Sequence, residues 1–386
     1  MIATITTPRL IQIGGGAVAG IGDVVRRVRA TKPLIVTDPF MRDSGMLARL
    51  TDPLDDAGVA YGVFADTVPD PTTDVIEAGA AVLADGDYDC MIGFGGGSPI
   101  DTAKAMAILH AGGGKMRDYK VPAQADMAAL PVIAVPTTAG TGSEVTKFTV
   151  ITDTETDEKM LIMGLAALPT AAVVDYELTL SMPYRLTADT GIDSLTHAIE
   201  AYVSRKASPQ TDSVALSAMK LIAANIRAAC QDPGNHKARE AMMLGAMQGG
   251  MAFSNASVCL VHGMSRPIGA FFHVPHGLSN AMLLPAITAF SAESALERYA
   301  DCARAMGVAD EEEGNQSAVA KLLDELRQLN TDLGVPTPKD YGIDEKRYFE
   351  LMPTMAQQAL ASGSPGNNPR VPTAEEIVKL YEEAWA

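Results

Sequence analysis

The chain has 386 residues, more than one modest core needs, and two domains are the natural expectation. Hydrophobic residues make up 47% and charged residues 20%, the balance of a folded globular protein rather than a disordered one. A formal net charge of −17 argues against nucleic acid or anionic lipid as a general partner, although it says nothing about one local pocket.

The opening "MIATITTPRLIQIGGG" lacks a basic-then-apolar leader pattern. Nor does any run reach the roughly 18 apolar residues of a membrane span. Over the first 180 or so residues, short apolar runs alternate with helical patterns. "PLIVTD" (33–38), "VAYGVFAD" (59–66), "DCMIGFGG" (89–96), "LPVIAVPTT" (130–138) and "TAAVVDYEL" (170–178) read as strands. "GDVVRRVRA", "TTDVIEAGAAVLAD" and "DTAKAMAILHAG" read as helices between some of them. That order predicts a mostly parallel sheet with helices on its faces.

After "SMPYRLTAD" the chain becomes alanine-, methionine- and leucine-rich with helical spacing, so the expected domains are 1–183, α/β, and 184–386, all helical. "SGSPGNNPR" (362–370) reads as a loop before a short last helix. Cys90, Cys230, Cys259 and Cys302 lie far apart without a C-x-x-C, which speaks against a disulfide framework or a thiolate zinc site. A reducing cytoplasm is the simplest compartment.

"MIGFGGGSPIDTAKA" runs from a strand through three glycines into a helix, with Ser98 expected as N-cap, Pro99 at the first helical position and Asp101 at capping-box spacing. Such a turn can cradle a pyrophosphate, or be a capped βα connection that binds nothing; its glycine spacing is not the usual G-x-G-x-x-G. Asp38 ends "LIVTD", where a carboxylate can accept ribose hydroxyls and repel a 2′-phosphate, or simply cap a turn. "VIAVPTTAGTGSEVT" ends in small hydroxyl residues and glycines. Three sheet-end loops of this kind favour a dinucleotide crevice.

In "LTADTGIDSLTHAIEAYVS", Asp193 and His197 stand four apart and share a helical face. An isolated pair of this kind is ordinarily a hydrogen bond without an ion. The chain has only six histidines, however, and His262, His273 and His276 fall in "VHGMSRPIGAFFHVPHGLSNAMLLP". One carboxylate and three neutral imidazoles suit a divalent first-row metal, iron or zinc, with a position open for substrate.

Along essentially its whole length the chain resembles the iron-containing (group III) alcohol dehydrogenases, through "GGGSPIDTAKA", "PTTAGTGSEVT", "TGIDSLTHAIEAYVS" and "VHGMSRPIGAFFHVPHGLSNA". The resemblance implies an N-terminal dinucleotide-binding domain, a C-terminal helical domain, a site in the cleft between them and a homo-oligomer. It implies Fe2+, or alternatively Zn2+, on Asp193, His197, His262 and His276. It implies NAD contacts from Asp38, Asp70, Gly96, Gly97, Ser98, Asp101, Thr137, Thr138, Thr146, Phe148 and Lys159.

The implied reaction is hydride transfer between NAD and a small alcohol or aldehyde. Maleylacetate reductase, glycerol dehydrogenase and a dehydroquinate synthase-like lyase are the alternatives on this architecture. The sequence departs from the family at three places. Arg266 stands where many members have a histidine, His273 where they often have asparagine or another residue, and Asp70 where asparagine is common. Arg266 and His273 are therefore the candidate catalytic or substrate-contacting residues. Arg266 either receives an acidic group of the substrate or pairs with a carboxylate at the domain interface. His273 either relays the alcohol proton to water or is a core histidine bonded to backbone.

Overall fold

The computed structural model describes residues 2–386, which divide into two compact units, Thr6–Ser181 and Met182–Ala386, the second joined by the first few residues of the chain. The first unit holds strands β1 (Leu10–Ile13), β2 (Pro33–Val36), β3 (Gly62–Phe64), β4 (Cys90–Gly95), β5 (Val132–Pro136), β6 (Phe148–Asp153), β7 (Glu158–Met163) and β8 (Ala171–Val174). Its helices are α1 (Ile21–Arg27), α2 (Pro39–Asp43), α3 (Ala48–Asp56), α4 (Thr73–Asp85) and α5 (Gly97–Gly112). Six strands form a parallel sheet in the order β1-β8-β5-β4-β2-β3.

A parallel sheet covered on both faces needs strands that are apolar on both faces, and β2, β4, β5 and β8 are buried throughout. Alternation then sorts side chains between two cores. Leu34, Val36 and Met91 join Ile76, Met106 and Ile108 on the side of α4 and α5. Ile35, Ile92, Phe94, Ile133 and Val173 join Val24, Val25, Leu50 and Leu54 on the side of α1 and α3.

The strands expected at 33–38, 59–66, 89–96, 130–138 and 170–178 all form, each shorter than its apolar run. Strand β1 and the antiparallel hairpin β6–β7 were not expected. "FTVITD" and "EKMLIM" alternate weakly and carry charges at their ends, so neither stands out as a strand; Asp157, at φ 53, closes their turn.

The second unit is helical: α6 (Tyr184–Val203), α7 (Pro209–Gln231), α8 (His236–Ala256), α9 (Leu260–Phe272), α10 (His276–Ala292), α11 (Leu296–Ala305), α12 (Asn315–Asp332), α13 (Glu345–Ala361) and α14 (Ala374–Ala384). Helix α7 is long and apolar enough, by length and composition, to cross a membrane. It nevertheless buries Ala215, Met219, Ile222 and Ile226 and packs on α6 and α8. The four cysteines are free and buried.

Helix α6 is the axis of this unit, buried along almost its whole length between α7, α8 and α10. The start of α10 reaches it through Gly277. A Cβ there would stand 2.4 Å from the Asp189 carbonyl oxygen and 3.3 Å from Asp193 Cβ, so backbone, not a flexible side chain, forbids it. This close approach sets His276 beside Asp193. Gly277→Ala is therefore expected to push α10 off α6, lowering the thermal midpoint by several degrees and weakening divalent-metal retention at least tenfold. Thermal unfolding and metal analysis of the purified variant check both.

Candidate metal centre and nucleotide turn

Asp193, His197 and Glu200 form one stripe on α6, at i, i+4 and i+7. His262 enters from the first turn of α9 and His276 opens α10. A carboxylate oxygen of Asp193 and a ring nitrogen from each of His262 and His276 lie within 4.8 Å of one another. His262 Nε2 is 3.4 Å and His276 Nε2 3.9 Å from Asp193 Oδ1. Ligands at about 2.1 Å from a tetrahedral ion stand roughly 3.4 Å apart, so these spacings suit a first-row divalent cation. His197 stands beside the trio: its Nε2 is 3.8 Å from Asp193 Oδ1, and its ring stacks between Phe253 at 4.2 Å and His262 at 4.6 Å. The side chains of Asp193, His197 and His262 are 3–5% exposed and that of His276 is 47%, so the cluster is open on one side only.

Three features tune these donors. The Glu200 carboxylate lies 2.6 Å from His262 Nδ1, which directs the Nε2 lone pair into the cluster. Its oxygens also accept the Cys259 and Val261 backbone N–H groups at 2.9 and 2.6 Å, capping α9. Burial alone would push the His262 imidazole down, but Glu200 and Asp193 overcome this and bring it up to about 9. Burial likewise would raise Asp193, yet the His197, His276 and His262 imidazoles hold it well below the usual carboxylate range. The cluster thus attracts positive charge.

Asn280, one turn after His276 and fully buried, is the third feature. Its Nδ2 donates to Asp193 Oδ1 at 2.6 Å and lies 3.2 and 3.3 Å from His262 Nε2 and His276 Nε2. Its own Oδ1 is buried without a hydrogen-bond partner. The amide nitrogen thus sits against the same lone pairs that a cation would occupy, and the donor set of one carboxylate and imidazoles fits such an ion.

His273 and Arg266 end differently from the sequence alternatives. His273 is exposed at the end of α9 in a left-handed conformation, φ 55, and is not a core histidine. Arg266 donates from Nη1 to Ser364 Oγ at 3.1 Å, and among the described residues no carboxylate lies within 4.0 Å of it.

In the first unit, β4 ends at Gly95 with φ 144, a conformation that requires glycine. Helix α5 then starts at Gly97 with Gly96 as N-cap and no side-chain cap. Ser98 is therefore not the N-cap, and Asp101 closes no capping box. The Asp101 carboxylate instead accepts the Ser143 hydroxyl at 2.6 Å and the Val150 N–H at 3.0 Å. The first-turn N–H groups are left uncapped by side chains, as phosphate binding needs.

Asp38 does cap α2, accepting the Met41 N–H on Oδ1 at 2.9 Å. Its Oδ2 faces Gly95, 3.4 Å from where a Cβ would be. Thr137 donates its N–H to Gly95 O at 2.8 Å, and its buried hydroxyl has no partner. Thr138 lies against Gly96. Asp70 and Lys159 are joined at 2.9 Å.

Thr146 and Phe148 are held by Lys104, which sequence reasoning missed. Its buried ammonium donates to Ser143 Oγ at 2.9 Å, Thr146 O at 3.1 Å and Phe148 O at 2.8 Å. Burial pulls Lys104 down to about 8 and pushes Glu144 beside it up to about 7. The signals for Lys104, Glu200 and Asn280 were present as helical spacings: three after Asp101, seven after Asp193 and four after His276.

Glu200→Gln tests the support of His262. Both Glu200 oxygens accept, so an amide must leave a buried donor unpaired, costing about 1–3 kcal/mol. Metal affinity should fall about 10- to 100-fold, measured by chelator competition; an unchanged affinity would remove Glu200 from the site.

The iron-containing alcohol dehydrogenase family model matches residues 8–176, and the C-terminal model of the same family matches residues 187–385. Lactaldehyde reductase of Escherichia coli K12 is 39% identical over 375 residues, covering 96% of this chain and 97% of that protein. Among solved structures, a 1,3-propanediol oxidoreductase superposes with TM-score 0.95 at 34% identity, covering all of both chains. A sulfoacetaldehyde reductase from Bifidobacterium kashiwanohense, in complex with NAD+, superposes with TM-score 0.90 at 30% identity, covering 100% of this chain and 99% of that one. A sequence and a fold matched from end to end, together with the convergent aspartate and histidines, make this chain a member of the iron-containing alcohol dehydrogenase family.

Proposed function

We propose that the protein is an NAD-linked, divalent-metal-dependent alcohol dehydrogenase working also as an aldehyde reductase, with Asp193, His197, His262 and His276 as ligands of Fe2+ or, alternatively, Zn2+. The observation that carries this is the convergence of Asp193, His262 and His276 around one point with one open side. When bound there, a divalent ion supplies Lewis-acid chemistry that acidifies an alcohol hydroxyl or polarises a carbonyl. Asp193 brings one negative charge, so the loaded site keeps net positive charge. Glu200 and Asn280 hold His262 and Asp193 in register.

In oxidation the alcohol carbon gives its hydride to NAD+ and the hydroxyl its proton to water. We assign the exposed His273 to that relay. Gly96, Gly97 and Ser98 at the uncapped start of α5 receive the pyrophosphate, and Asp38 the adenosine ribose. Asp101, Thr137, Thr138, Thr146 and Phe148 form the wall beside it, and Asp70 with Lys159 its rim. The substrate is a small alcohol or its aldehyde. Relatives span neutral and anionic examples, from lactaldehyde and 1,3-propanediol to sulfoacetaldehyde. We place the enzyme in the reducing cytoplasm, as a homo-oligomer without nucleic-acid or membrane partners; four free buried cysteines and an acidic net charge support this.

Asp193→Ala or His262→Ala should lose metal and turnover while the circular dichroism spectrum stays helical. A variant that keeps wild-type metal content and NADH-linked aldehyde reduction would overturn the assignment. Asp38 disfavours a 2′-phosphate by charge, so kcat/KM should be at least tenfold higher with NADH than with NADPH. Asp38→Gly should narrow that ratio; equal use of both cofactors by the wild-type protein would contradict the role of Asp38.

A further inference from the structure

Resting on that reading, we propose that Arg266 is an anion subsite, and that the preferred substrates are short aldehydes or alcohols bearing a carboxylate, sulfonate or phosphonate at the far end.

Arg266 is the sole residue of α9 with a permanent charge. It follows His262 by four residues, one turn along the helix and about 6 Å in rise, on the same face. Side chains on a helix lean toward its N-terminus, so the arginine leans toward the level of His262.

Among the described residues no carboxylate forms an ion pair with Arg266, and one of its five N–H donors is taken by the neutral Ser364 hydroxyl. Burial works against the cation, and Glu200 is the charge that opposes this. Yet both Glu200 oxygens are engaged by His262 and the backbone of Cys259 and Val261. A guanidinium does not escape by losing its proton. A half-buried fork in this position keeps donors and charge for a group that arrives from outside.

The fork is also fixed. Ser364 begins a 3-10 turn, Ser364–Asn367, whose Pro365 lies against Gly263, with only 2.9 Å left for a Cβ. Asn367 Nδ2 donates to Val258 O at 3.0 Å, and the Tyr381 hydroxyl donates to Met264 O at 2.7 Å. A planar fork held this way suits the paired oxygens of a carboxylate, sulfonate or phosphonate. In a chain of net charge −17, a local cation is also what lets an anionic substrate approach. One helical turn between His262 and Arg266, about 6 Å in rise, is the basis for proposing short substrates.

The test uses the full-length, iron-loaded enzyme with NADH and four aldehydes: succinic semialdehyde, sulfoacetaldehyde, phosphonoacetaldehyde and butanal. The expected result is a kcat/KM at least tenfold higher for one or more of the anionic aldehydes than for butanal. Arg266→Ala should reduce that ratio at least tenfold, chiefly through KM, and Arg266→Lys should recover part of it. The anionic aldehyde preferred identifies which acid group is read. Butanal reduced as well as every anionic aldehyde, or equal losses for both classes in Arg266→Ala, overturns the subsite and leaves the dehydrogenase assignment standing.

If none of the four is reduced, the dehydrogenase assignment fails. The subsite is then judged by calorimetric titration of the metal-loaded protein with succinate. Binding at least tenfold weaker in Arg266→Ala supports it, and equal binding, or none in either protein, overturns it.

Discussion

A single buried carboxylate, that of Glu200, ties the candidate metal centre to the fold. It lies on α6, yet it terminates α9 by accepting two backbone N–H groups and fixes the tautomer of His262 in the first turn of that helix. Capping and ligand orientation are thus one interaction, and α9 cannot shift along α6 without unpairing three donors. Because α10 follows α9 after only a short turn and reaches α6 through Gly277, the same anchor also determines where His276 comes to rest.

The arrangement carries an energetic cost that the rest of the helical unit must offset. Asp193, Glu200, His197, His262 and Asn280 are all withdrawn from water, which is unfavourable unless each polar atom finds a partner. Most do: Asn280 bonds Asp193, Glu200 bonds His262, and His197 lies between two rings. The leftover is the Asn280 oxygen, together with a set of lone pairs sharing one amide nitrogen. That surplus of acceptors over donors is the property a cation site needs, and it appears where the sequence pattern had pointed.

What the sequence disclosed, and what it withheld, follows from the range of the interactions. Asp193 and His197 are local, four apart on one helix, and the histidine-rich run after Val261 is visible by composition alone. The parallel sheet showed itself because strands buried on both faces read as unbroken apolar runs, as in β2 and β5. The hairpin β6–β7 is half-exposed and mixed in polarity, so nothing in its pattern distinguishes strand from loop. Ser98 was misread as a cap because its spacing to Asp101 satisfies the local rule, whereas the tertiary partners Ser143 and Val150 claim that carboxylate. Glu200 and Lys104 carry a legible helical spacing to Asp193 and Asp101, but that spacing does not say what they bind. Each is an ordinary helical charge until the chain brings distant backbone groups to it.

Reaction class and substrate class depend on different parts of this structure. The class follows from buried residues whose side chains are held by partners on three helices, α6, α9 and α10. The open side of the cluster is formed by His276, whose side chain is 47% exposed, and it is there that one residue can change without refolding the rest. That asymmetry explains how relatives with the same architecture reduce neutral and anionic aldehydes alike. Arg266 is informative in this respect, because a half-buried cation whose hydrogen-bond partner is the neutral Ser364 hydroxyl suits the anion subsite proposed above better than a purely structural part.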